Sequence, residues 1–339
     1  MRAPEPVPPP FVLTGPTGTG KTAVSLELAA LLEGAVVCAD SRQLYRGLDV
    51  ATGKPSPAER ARAPHLGFDA LEIAERSTAG AYARTARPIL ESLASARRSA
   101  LLVGGSGFYL RALHQGLAAV PDVPDDVRQA VALRLESKGP EALHAELALL
   151  DPMLARRLGP RDGQRVGRGL EVVLATGRPL SAWQEENPDP APAWFWVALT
   201  RSRSDHAQAL EARAHGFFEQ GLVEETRGLL QAGIPEDAPG FDTLGYREAL
   251  DVLAGRLELD DARALVARRT IQYAKRQMTW LRGEARRVNL VFRDIGPHES
   301  PGQIAHELAE RYRAFLRGST ARGNLAPASA AESSSRLSG

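Results

Sequence analysis

Residues 15–22 read GPTGTGKT, a glycine-rich stretch that ends in the tripeptide GKT. Its spacing is that of a phosphate-binding loop, in which backbone N–H groups and a helix N-terminus surround a phosphate chain. The apolar run FVLT at 11–14 precedes the loop and a helical pattern at 22–32 follows it. Strand, loop and helix thus come in the order that the motif requires. The stretch predicts a phosphate site on an α/β fold.

Every residue of the loop is a predicted contact of the bound phosphates. The predicted diphosphate-binding residues of the loop are Gly15, Pro16, Thr17, Gly18, Thr19, Gly20, Lys21 and Thr22. In such a loop Lys21 supplies a point positive charge and the Thr22 hydroxyl reaches a magnesium ion. Mg²⁺ is therefore the predicted cofactor, with Thr22 as its protein ligand. Most loops of this spacing hold a nucleoside triphosphate, so motifs elsewhere in the chain are needed to identify the ligand.

The composition narrows the class of protein. With 339 residues, 43% hydrophobic and 24% charged, the chain can bury a sizeable core. The formal net charge of +1 excludes a wholly basic protein, so any nucleic-acid surface must be a local concentration of Arg and Lys. Cys38 is the single cysteine, which suits a reducing compartment. No apolar run resembles a membrane span or a signal peptide, and we expect a cytoplasmic monomer.

Further apolar runs outline a parallel sheet. AVVCAD at 35–40 and SALLVGG at 99–105 each precede a helical stretch, as strands joined by crossover helices do. WFWVALT at 194–200 is typical of a strand that returns to this sheet, and only helical patterns follow it. The predicted fold is α/β, a P-loop parallel-sheet core with an inserted all-helical subdomain. Its parts are disordered tails at 1–10 and 318–339, the core at 11–120 and 194–317, and the helical insert with its Pro-rich linker at 121–193.

Two polar residues follow the predicted strands. Asp40 ends AVVCAD, and Ser106 follows the two glycines of LLVGG. Because ligands bind at the carboxyl ends of the strands in such sheets, both side chains should face the same crevice as the phosphate loop. Asp40 could be a magnesium carboxylate, a general base or a helix cap. Ser106 could donate a hydrogen bond to a substrate or cap the helix that follows.

A series of motifs continues after the loop. It comprises DSRQLYRGLDVATGKP at 40–55, LLVGGSGFYLRAL at 101–113, DGQRVGRGLEV at 162–172, LGYREAL at 244–250 and YAKRQMTWLR at 273–282. The series resembles the tRNA dimethylallyltransferases, or tRNA isopentenyltransferases. Their pattern is close to GPTxxGKT, DSxQxYxxxDIGTAKP, VGGTGLY, QRxxRALE, IGYKE and YAKRQxTWxR. This ordered series is far more specific than the phosphate loop alone.

The resemblance implies a prenyl transfer to RNA. A dimethylallyl group would pass from dimethylallyl diphosphate to the exocyclic N6 atom of the adenosine immediately 3′ of a tRNA anticodon, and diphosphate would leave. The loop would then hold an isoprenoid diphosphate and not ATP. The implied partner is the anticodon stem-loop of tRNAs that read codons beginning with U. Since an exocyclic amine is a poor nucleophile, a carboxylate that accepts its proton contributes a rate factor of about 10²–10⁴, and Asp40 is the candidate.

The resemblance also assigns residues. Asp40, Ser106 and Lys21 are the predicted catalytic residues, and Arg213 lies where the family carries a diphosphate-contacting Arg, although it could equally be an exposed helix charge. The predicted tRNA-binding residues are Asp40, Ser41, Arg42, Gln43, Ser106, Arg128, Gln164, Arg165, Val166, Gly167, Arg168, Lys275 and Arg276. The chain departs from the pattern at Ala51, where the family usually has Gly, and at Gly53, where it usually has Ala.

Helical periodicity places basic residues on two helix faces. The first face carries Arg161, Gln164, Arg165 and Arg168, and the second carries Arg268, Gln272, Lys275, Thr279 and Arg282. Each face alone is more often merely solvated. Beside a phosphate loop and these motifs, the two faces favour contacts to RNA backbone and to splayed loop bases. The target base would have to leave its stack to reach Asp40.

Three other functions fit parts of the pattern. A small-molecule kinase would share the loop and use Asp40 at magnesium. An adenylate isopentenyltransferase would use the same donor with a free nucleotide. A non-enzymatic RNA-binding protein could retain the fold without its chemistry. The helical insert and the YAKRQMTWLR motif favour tRNA as the acceptor.

Overall fold

The computed structural model describes residues 7–185 and 192–323, the last five as backbone only. Within these residues one sheet is formed by β1 Phe11–Thr14, β2 Ala35–Cys38, β3 His65–Leu66, β4 Ala100–Val103, β5 Phe195–Arg201 and β6 Val291–Ile295. The helices are α1 Lys21–Leu31, α2 Pro57–Arg60, α3 Ala79–Ser95, α4 Gly107–Gln115, α5 Asp125–Leu150, α6 Pro152–Arg157, α7 Gly163–Thr176, α8 Leu180–Glu185, α9 Arg203–Glu219, α10 Leu222–Gln231, α11 Tyr246–Leu253, α12 Leu259–Glu284 and α13 Pro301–Gly323. A 3₁₀ turn spans Pro239–Asp242.

The strands lie in the order β3-β2-β4-β1-β5-β6, and every neighbouring pair is parallel. The predicted α/β class with a parallel sheet is therefore confirmed. Helices cover both faces of the sheet, as a parallel sheet needs. Leu13 and Leu101 pack with Leu28 of α1 and Leu308 of α13 on one face. On the other face, β-strand residues pack with Leu281 of α12.

Two strands were not predicted. The prediction that only helices follow the returning strand is wrong, because β6 at Val291–Ile295 is the outer neighbour of β5. Four of its five residues are not buried, so this edge strand lacks the apolar run of a central one. β3, at the opposite edge, has only two residues and is too short to give a pattern.

Both predicted tails are corrected at their inner ends. α13 runs to Gly323, past Gly318, where we expected the C-terminal tail to begin. In the predicted N-terminal tail, Pro9 O accepts a hydrogen bond from the Tyr312 hydroxyl, and Pro10 O accepts one from Phe195 N–H. Residues 1–6 and 324–339 lie outside the described residues. None of the helices in the described part of the chain combines the length and the apolar character that a membrane crossing needs.

The chain divides into two compact units, one of Met1–Leu113 with Pro192–Gly339 and one of His114–Ala191. The second unit contains α5 to α8, and the insert was predicted at 121–193, whose linker lies partly outside the described residues. Its apolar centre includes Leu143, Leu147 and Leu170. Asp151 is fully buried there, where it caps α6 and accepts two hydrogen bonds from Ser181.

A buried ion-pair cluster shapes the segment after β2. The Lys54 side chain is 2% exposed, and its ammonium donates to Asp49 at 2.7 Å, to Asp69 at 2.5 Å and to the Tyr45 carbonyl. Arg60 also pairs with Asp69, at 2.8 Å. Burial opposes the ionisation of Asp69, but its hydrogen bonds from Lys54 and Arg60 outweigh burial and hold its pKa below the usual value. Lys54 therefore holds the 45–55 segment in place.

Candidate active site

The phosphate loop follows β1 and leads into α1. Gly15 has a φ of 141°, and a Cβ at this position would lie 2.4 Å from the Leu199 carbonyl oxygen of β5, so only glycine fits. Gly20 is the N-cap of α1 and supplies no side-chain acceptor. The first N–H groups of α1 consequently have no capping side chain and can bind an anion.

Polar groups of two loop residues, Thr17 and Thr19, already make contacts inside the protein. The Thr19 hydroxyl is buried and donates to Pro16 O at 2.9 Å. Thr17 N–H donates to Gln277 Oε1 at 2.9 Å, while Thr17 O lies 2.7 Å from His206 Nε2. Thr17 N–H and the Thr19 hydroxyl are therefore occupied, and the N–H groups nearer the helix are available to an anion. The predicted phosphate contacts of the loop stay a prediction.

Lys21 lies across the loop. Its ammonium donates to Gly15 O at 3.0 Å and to Pro16 O at 2.9 Å. Burial lowers the pKa of Lys21 to about 8, the nearby Asp40 carboxylate opposes that effect, and Arg213 adds to it. A buried ammonium at this position would gain from a phosphate anion, which would replace the solvation that it has lost.

Asp40 lies just beyond the end of β2. Its Oδ1 atom accepts a hydrogen bond from Arg42 N–H at 2.9 Å. Within the described ranges no hydrogen bond involves its Oδ2 atom. The Asp40 charge acts on the pKa values of both Lys21 and Arg213, so the carboxylate shares their surroundings. It has a fixed orientation and one oxygen available to accept a proton.

The Ser106 hydroxyl bonds to the Ser41 segment, and its contact with a substrate stays a prediction. Its hydroxyl accepts from Ser41 N–H at 2.8 Å and donates to Ser41 Oγ at 3.1 Å. Its own N–H donates to Ala39 O at 3.2 Å. These bonds join the end of β4 to the end of β2, beside Asp40. Ser106 therefore positions the segment that carries the carboxylate.

Gln277, on α12, was missed by the sequence analysis. It accepts from Thr17 N–H and donates from Nε2 to Gly105 O at 3.1 Å, so one buried amide joins the phosphate loop to the loop after β4. A Cβ on Gly105 would lie 2.2 Å from Gln277 Nε2, which explains the glycine there. Its place in the YAKRQMTWLR motif was the signal that could have identified it.

Arg213 is half-buried and is not an exposed helix charge. Its guanidinium donates to Thr52 O at 3.4 Å and lies 5.1 Å from the centre of the Phe217 ring. Burial lowers the pKa of Arg213, and Asp40 opposes the effect. A Cβ on Gly53 would lie 2.1 Å from Arg213 Nη2, and Gly53 has a φ of 59°. The departure from the family pattern at Gly53 thus makes room for the guanidinium.

The remaining predicted contacts are Gln43 and Arg42, which follow β2, and Arg276 on α12. The Gln43 amide donates to Thr52 O at 3.1 Å and to Gly53 O at 3.0 Å, so it holds the turn beneath Arg213. Arg42 is half-exposed. Arg276 is exposed, and its guanidinium lies 5.8 Å from the centre of the Tyr273 ring. Burial and the Asp40 charge raise the pKa of Tyr273.

One face of α12 is exposed and polar. It carries Arg268, Gln272, Lys275, Thr279 and Arg282, all of which are exposed. Within residues 7–185 and 192–323, none of its three cations forms an ion pair. By contrast, the neighbouring Arg269 pairs with the buried Glu248 at 2.5 Å. The cations of this face are therefore free to bind phosphates.

In the helical unit, α7 divides the predicted RNA contacts. Gln164, Arg165 and Arg168 are exposed, whereas Val166 and Gly167 are buried. The prediction that Val166 binds tRNA is wrong for its side chain, which packs in the apolar centre of this unit. Arg165, Arg168 and the exposed Arg128 form i,i+3 ion pairs with neighbouring carboxylates. Such surface pairs contribute only about 0.2–0.5 kcal/mol, so phosphate can replace them.

The donor set at the loop fits a magnesium ion. The Thr22 hydroxyl, at the start of α1, makes no hydrogen bond within the described residues, and Asp40 Oδ2 is also available. In the same part of the chain no cluster of three or more His, Cys, Asp and Glu residues could hold a metal. Mg²⁺ usually keeps several waters and takes one or two protein oxygens plus phosphate oxygens, which is what this site offers.

Gly53→Ala tests whether the absence of a side chain at Gly53 allows the Arg213 guanidinium to take its position. The new methyl group displaces the guanidinium, so the dissociation constant for inorganic diphosphate should rise about tenfold, as expected when a charged hydrogen bond is lost. Titration calorimetry measures it. Gly47→Ala is the matched control, because Gly47 also has a positive φ but its Cβ would meet only Leu229, at 3.4 Å. Equal effects of the two changes would contradict the role of Gly53.

The pKa of Lys21 predicts a pH dependence. Above about pH 8 the free protein loses the Lys21 proton and has to regain it to bind an anion, so the diphosphate Kd should rise about tenfold per pH unit. Lys21→Arg stays charged throughout this range. Each protein's Kd is measured from pH 7 to 9.5 and divided by its own value at pH 7. Parallel profiles would show that Lys21 does not titrate on binding.

Comparison with known proteins gives one family. The IPP transferase family model matches residues 43–284. The tRNA dimethylallyltransferase of Geobacter metallireducens is 42% identical over 81% of this chain and 89% of its own length, and that of Thermomicrobium roseum is 37% identical over 94% of each. The structure of the full-length tRNA isopentenylpyrophosphate transferase from Bacillus halodurans has a TM-score of 0.68 and 28% identity, and the match covers 94% of this chain and 99% of that one.

A eukaryotic dimethylallyltransferase solved acting on tRNA, with a TM-score of 0.72 and 23% identity, shares the fold. The family model spans more than half of the chain, and the curated relatives match over most of their length. The family predicted from the motif series is thus confirmed, together with the transferase class. The chain belongs to the IPP transferase family.

Proposed function

We propose that this chain transfers the dimethylallyl group of dimethylallyl diphosphate to N6 of the adenosine immediately 3′ of a tRNA anticodon, and that diphosphate is released. The observation that carries the proposal is the Asp40 carboxylate beside a phosphate loop with two partly buried cations, Lys21 and Arg213, whose pKa values burial lowers. The names of the relatives, which are tRNA dimethylallyltransferases, support the donor and the acceptor.

On the donor side, the loop binds the leaving group. The N–H groups at the start of α1, the Lys21 ammonium and the Arg213 guanidinium are directed at an anion whose charge grows as the carbon–oxygen bond breaks. Thr22 would hold a bound Mg²⁺ ion, which would neutralise part of that charge. These cations favour the departing diphosphate over the intact ester, which is what a catalyst of this step needs.

On the acceptor side, Asp40 removes one proton. As the N6–carbon bond forms, the amine becomes cationic and its proton passes to Asp40 Oδ2. The hydrogen bond from Arg42 N–H to Oδ1 holds the carboxylate in position. The Ser106 bonds to Ser41 fix the adjoining backbone. Ser106 is therefore proposed to act through position and not as a donor to substrate.

The RNA surface is proposed to combine cations with an exposed aromatic. The polar face of α12 binds backbone phosphates. Phe108, two residues after Ser106, has a side chain that is 53% exposed. Unstacked loop bases commonly bind on aromatic rings, so Phe108 is a candidate platform for a base beside the target. A cytoplasmic location and a monomeric state remain proposals.

An acceptor assay tests the function against its alternatives. Labelled dimethylallyl diphosphate is incubated with unmodified tRNA, AMP or ATP, and the labelled product is identified. We expect label on tRNA, and none on a tRNA whose adenosine 3′ of the anticodon is replaced by guanosine. Label on AMP alone would instead indicate an adenylate isopentenyltransferase. A phosphorylated product from ATP would indicate a kinase, and RNA binding without transfer would indicate a non-enzymatic protein.

Asp40→Asn separates the general base from a magnesium carboxylate. The amide keeps the shape but cannot take a proton, so single-turnover transfer should fall about 10²–10⁴-fold while donor and tRNA still bind. Transfer is measured at rising Mg²⁺ concentrations. Full recovery at high Mg²⁺ would reassign Asp40 to the metal, and near-normal transfer at all concentrations would remove it from the mechanism.

Replacing Arg165 and Arg168 by Ala tests the exposed face of α7. Loss of two phosphate contacts should raise the KM for tRNA and lower the slope of its salt dependence by nearly two, while donor affinity stays unchanged. Arg156→Ala with Arg157→Ala is the control, since both residues are exposed in the same unit and the charge change is equal. An unchanged KM would show that the α7 face is only solvated.

A further inference from the structure

Arg201 lies against the start of α1. It is the last residue of β5, and its Nη2 atom is 3.7 Å from the position of a Cβ on Gly20. Nothing else lies within 4 Å of that position. Gly20 is the residue whose N–H precedes the first turn of the helix at the phosphate loop. The guanidinium is thus next to the N–H groups that face the anion.

Among the residues that the structure describes, the Arg201 guanidinium has no hydrogen-bond or ion-pair partner. Its Nε atom is buried and makes no hydrogen bond, and within residues 7–185 and 192–323 the side chain forms no ion pair. Other arginines in this unit do have partners, such as Arg293, which pairs with Glu299 and Glu307. A buried donor is usually satisfied in a folded protein, and one that is not calls for an explanation.

Two acids near Arg201 in the chain or the sheet form no ion pair with it. Asp294, on the adjacent strand, accepts from the Thr200 hydroxyl at 3.0 Å. Asp205 lies in the first turn of α9, where its backbone N–H is bound by Ser202 Oγ at 3.1 Å. Neither carboxylate forms an ion pair with Arg201. The guanidinium has therefore not been neutralised by the acids that its own strand and helix bring close.

The local backbone adds to the positive charge. α1 begins at Lys21 beside the guanidinium, and α9 begins at Arg203, two residues after it. Each helix start carries partial positive charge. A guanidinium between two helix N-termini is unfavourable unless an anion binds there. An anionic ligand would remove this repulsion and supply the missing acceptor.

We propose that Arg201 is a ligand of the bound diphosphate and donates to non-bridging oxygens of the phosphate group held by the Gly20 and Lys21 N–H groups. The proposal rests on the proposed function, in which the loop holds a diphosphate. Arg213, seated on the 52–53 turn, is a separate contact. The planar fork of a guanidinium suits two phosphate oxygens at once, which an ammonium cannot match.

The test measures the Kd for inorganic diphosphate by titration calorimetry. Arg201→Ala should weaken binding about 10–100-fold, since a charge-assisted hydrogen bond is lost. Arg201→Lys keeps the charge but not the fork and should recover only part of the affinity. Arg203→Ala is the matched control, because it removes the same charge two residues away from an exposed position, and it should change the Kd less than twofold.

The outcomes are distinct. If Arg201→Ala binds diphosphate as wild type does, or no worse than Arg203→Ala does, the proposal is overturned while the loop keeps its role. If wild type itself does not bind diphosphate, the proposed function is contradicted, and the Arg201 proposal that rests on it is overturned as well. Should Arg201→Ala not fold, the neutral and similarly sized Arg201→Gln takes its place. A tRNA affinity that falls as much as the diphosphate affinity would move Arg201 to the RNA surface and overturn the proposal.

Discussion

The parallel pairing of the central strands is the constraint on which the site depends. β1 lies between β4 and β5, with Leu13 opposite Val103 and Thr14 opposite Ala198. Because the strands are buried, their backbone groups must pair in this register or remain unsatisfied. The segments that follow the strands therefore emerge at one edge. The phosphate loop, the Asp40 segment and the Ser106 segment meet there because the ladder leaves them no alternative.

Electrostatics then distinguishes this edge from other sheet edges. Lys21 and Arg213 are cations whose pKa values burial lowers, and Asp40 is the carboxylate that partly offsets it. These three partly buried charges are tolerated because each side chain is held by hydrogen bonds within the protein. Such preorganised charge favours a ligand whose negative charge increases during reaction. The same balance explains why the free protein is suited to bind an anion.

Sequence patterns predicted those parts of the site whose residues lie close together in the chain. The loop at 15–22 needs glycines and a lysine at fixed spacing, so the sequence identified it, and the resemblance to the family singled out Asp40 and Arg213. Contacts between distant segments gave no such pattern. The Ser106 hydroxyl bonds to a segment 65 positions earlier in the chain, and Gln277 bonds to the loop across 260 positions. β6 was missed because an edge strand needs no apolar run.

α12 carries two kinds of contact on one rigid body. Gln277 holds Thr17 N–H on its buried side, and the cations of its exposed face point to solvent. If RNA phosphates bind that face and shift α12, the shift would reach the phosphate loop through the same helix. Thermodynamic linkage then requires reciprocity: any factor by which bound tRNA changes donor affinity is the factor by which donor changes tRNA affinity. Any such coupling between the exposed face of α12 and the phosphate loop would pass through the Gln277 amide.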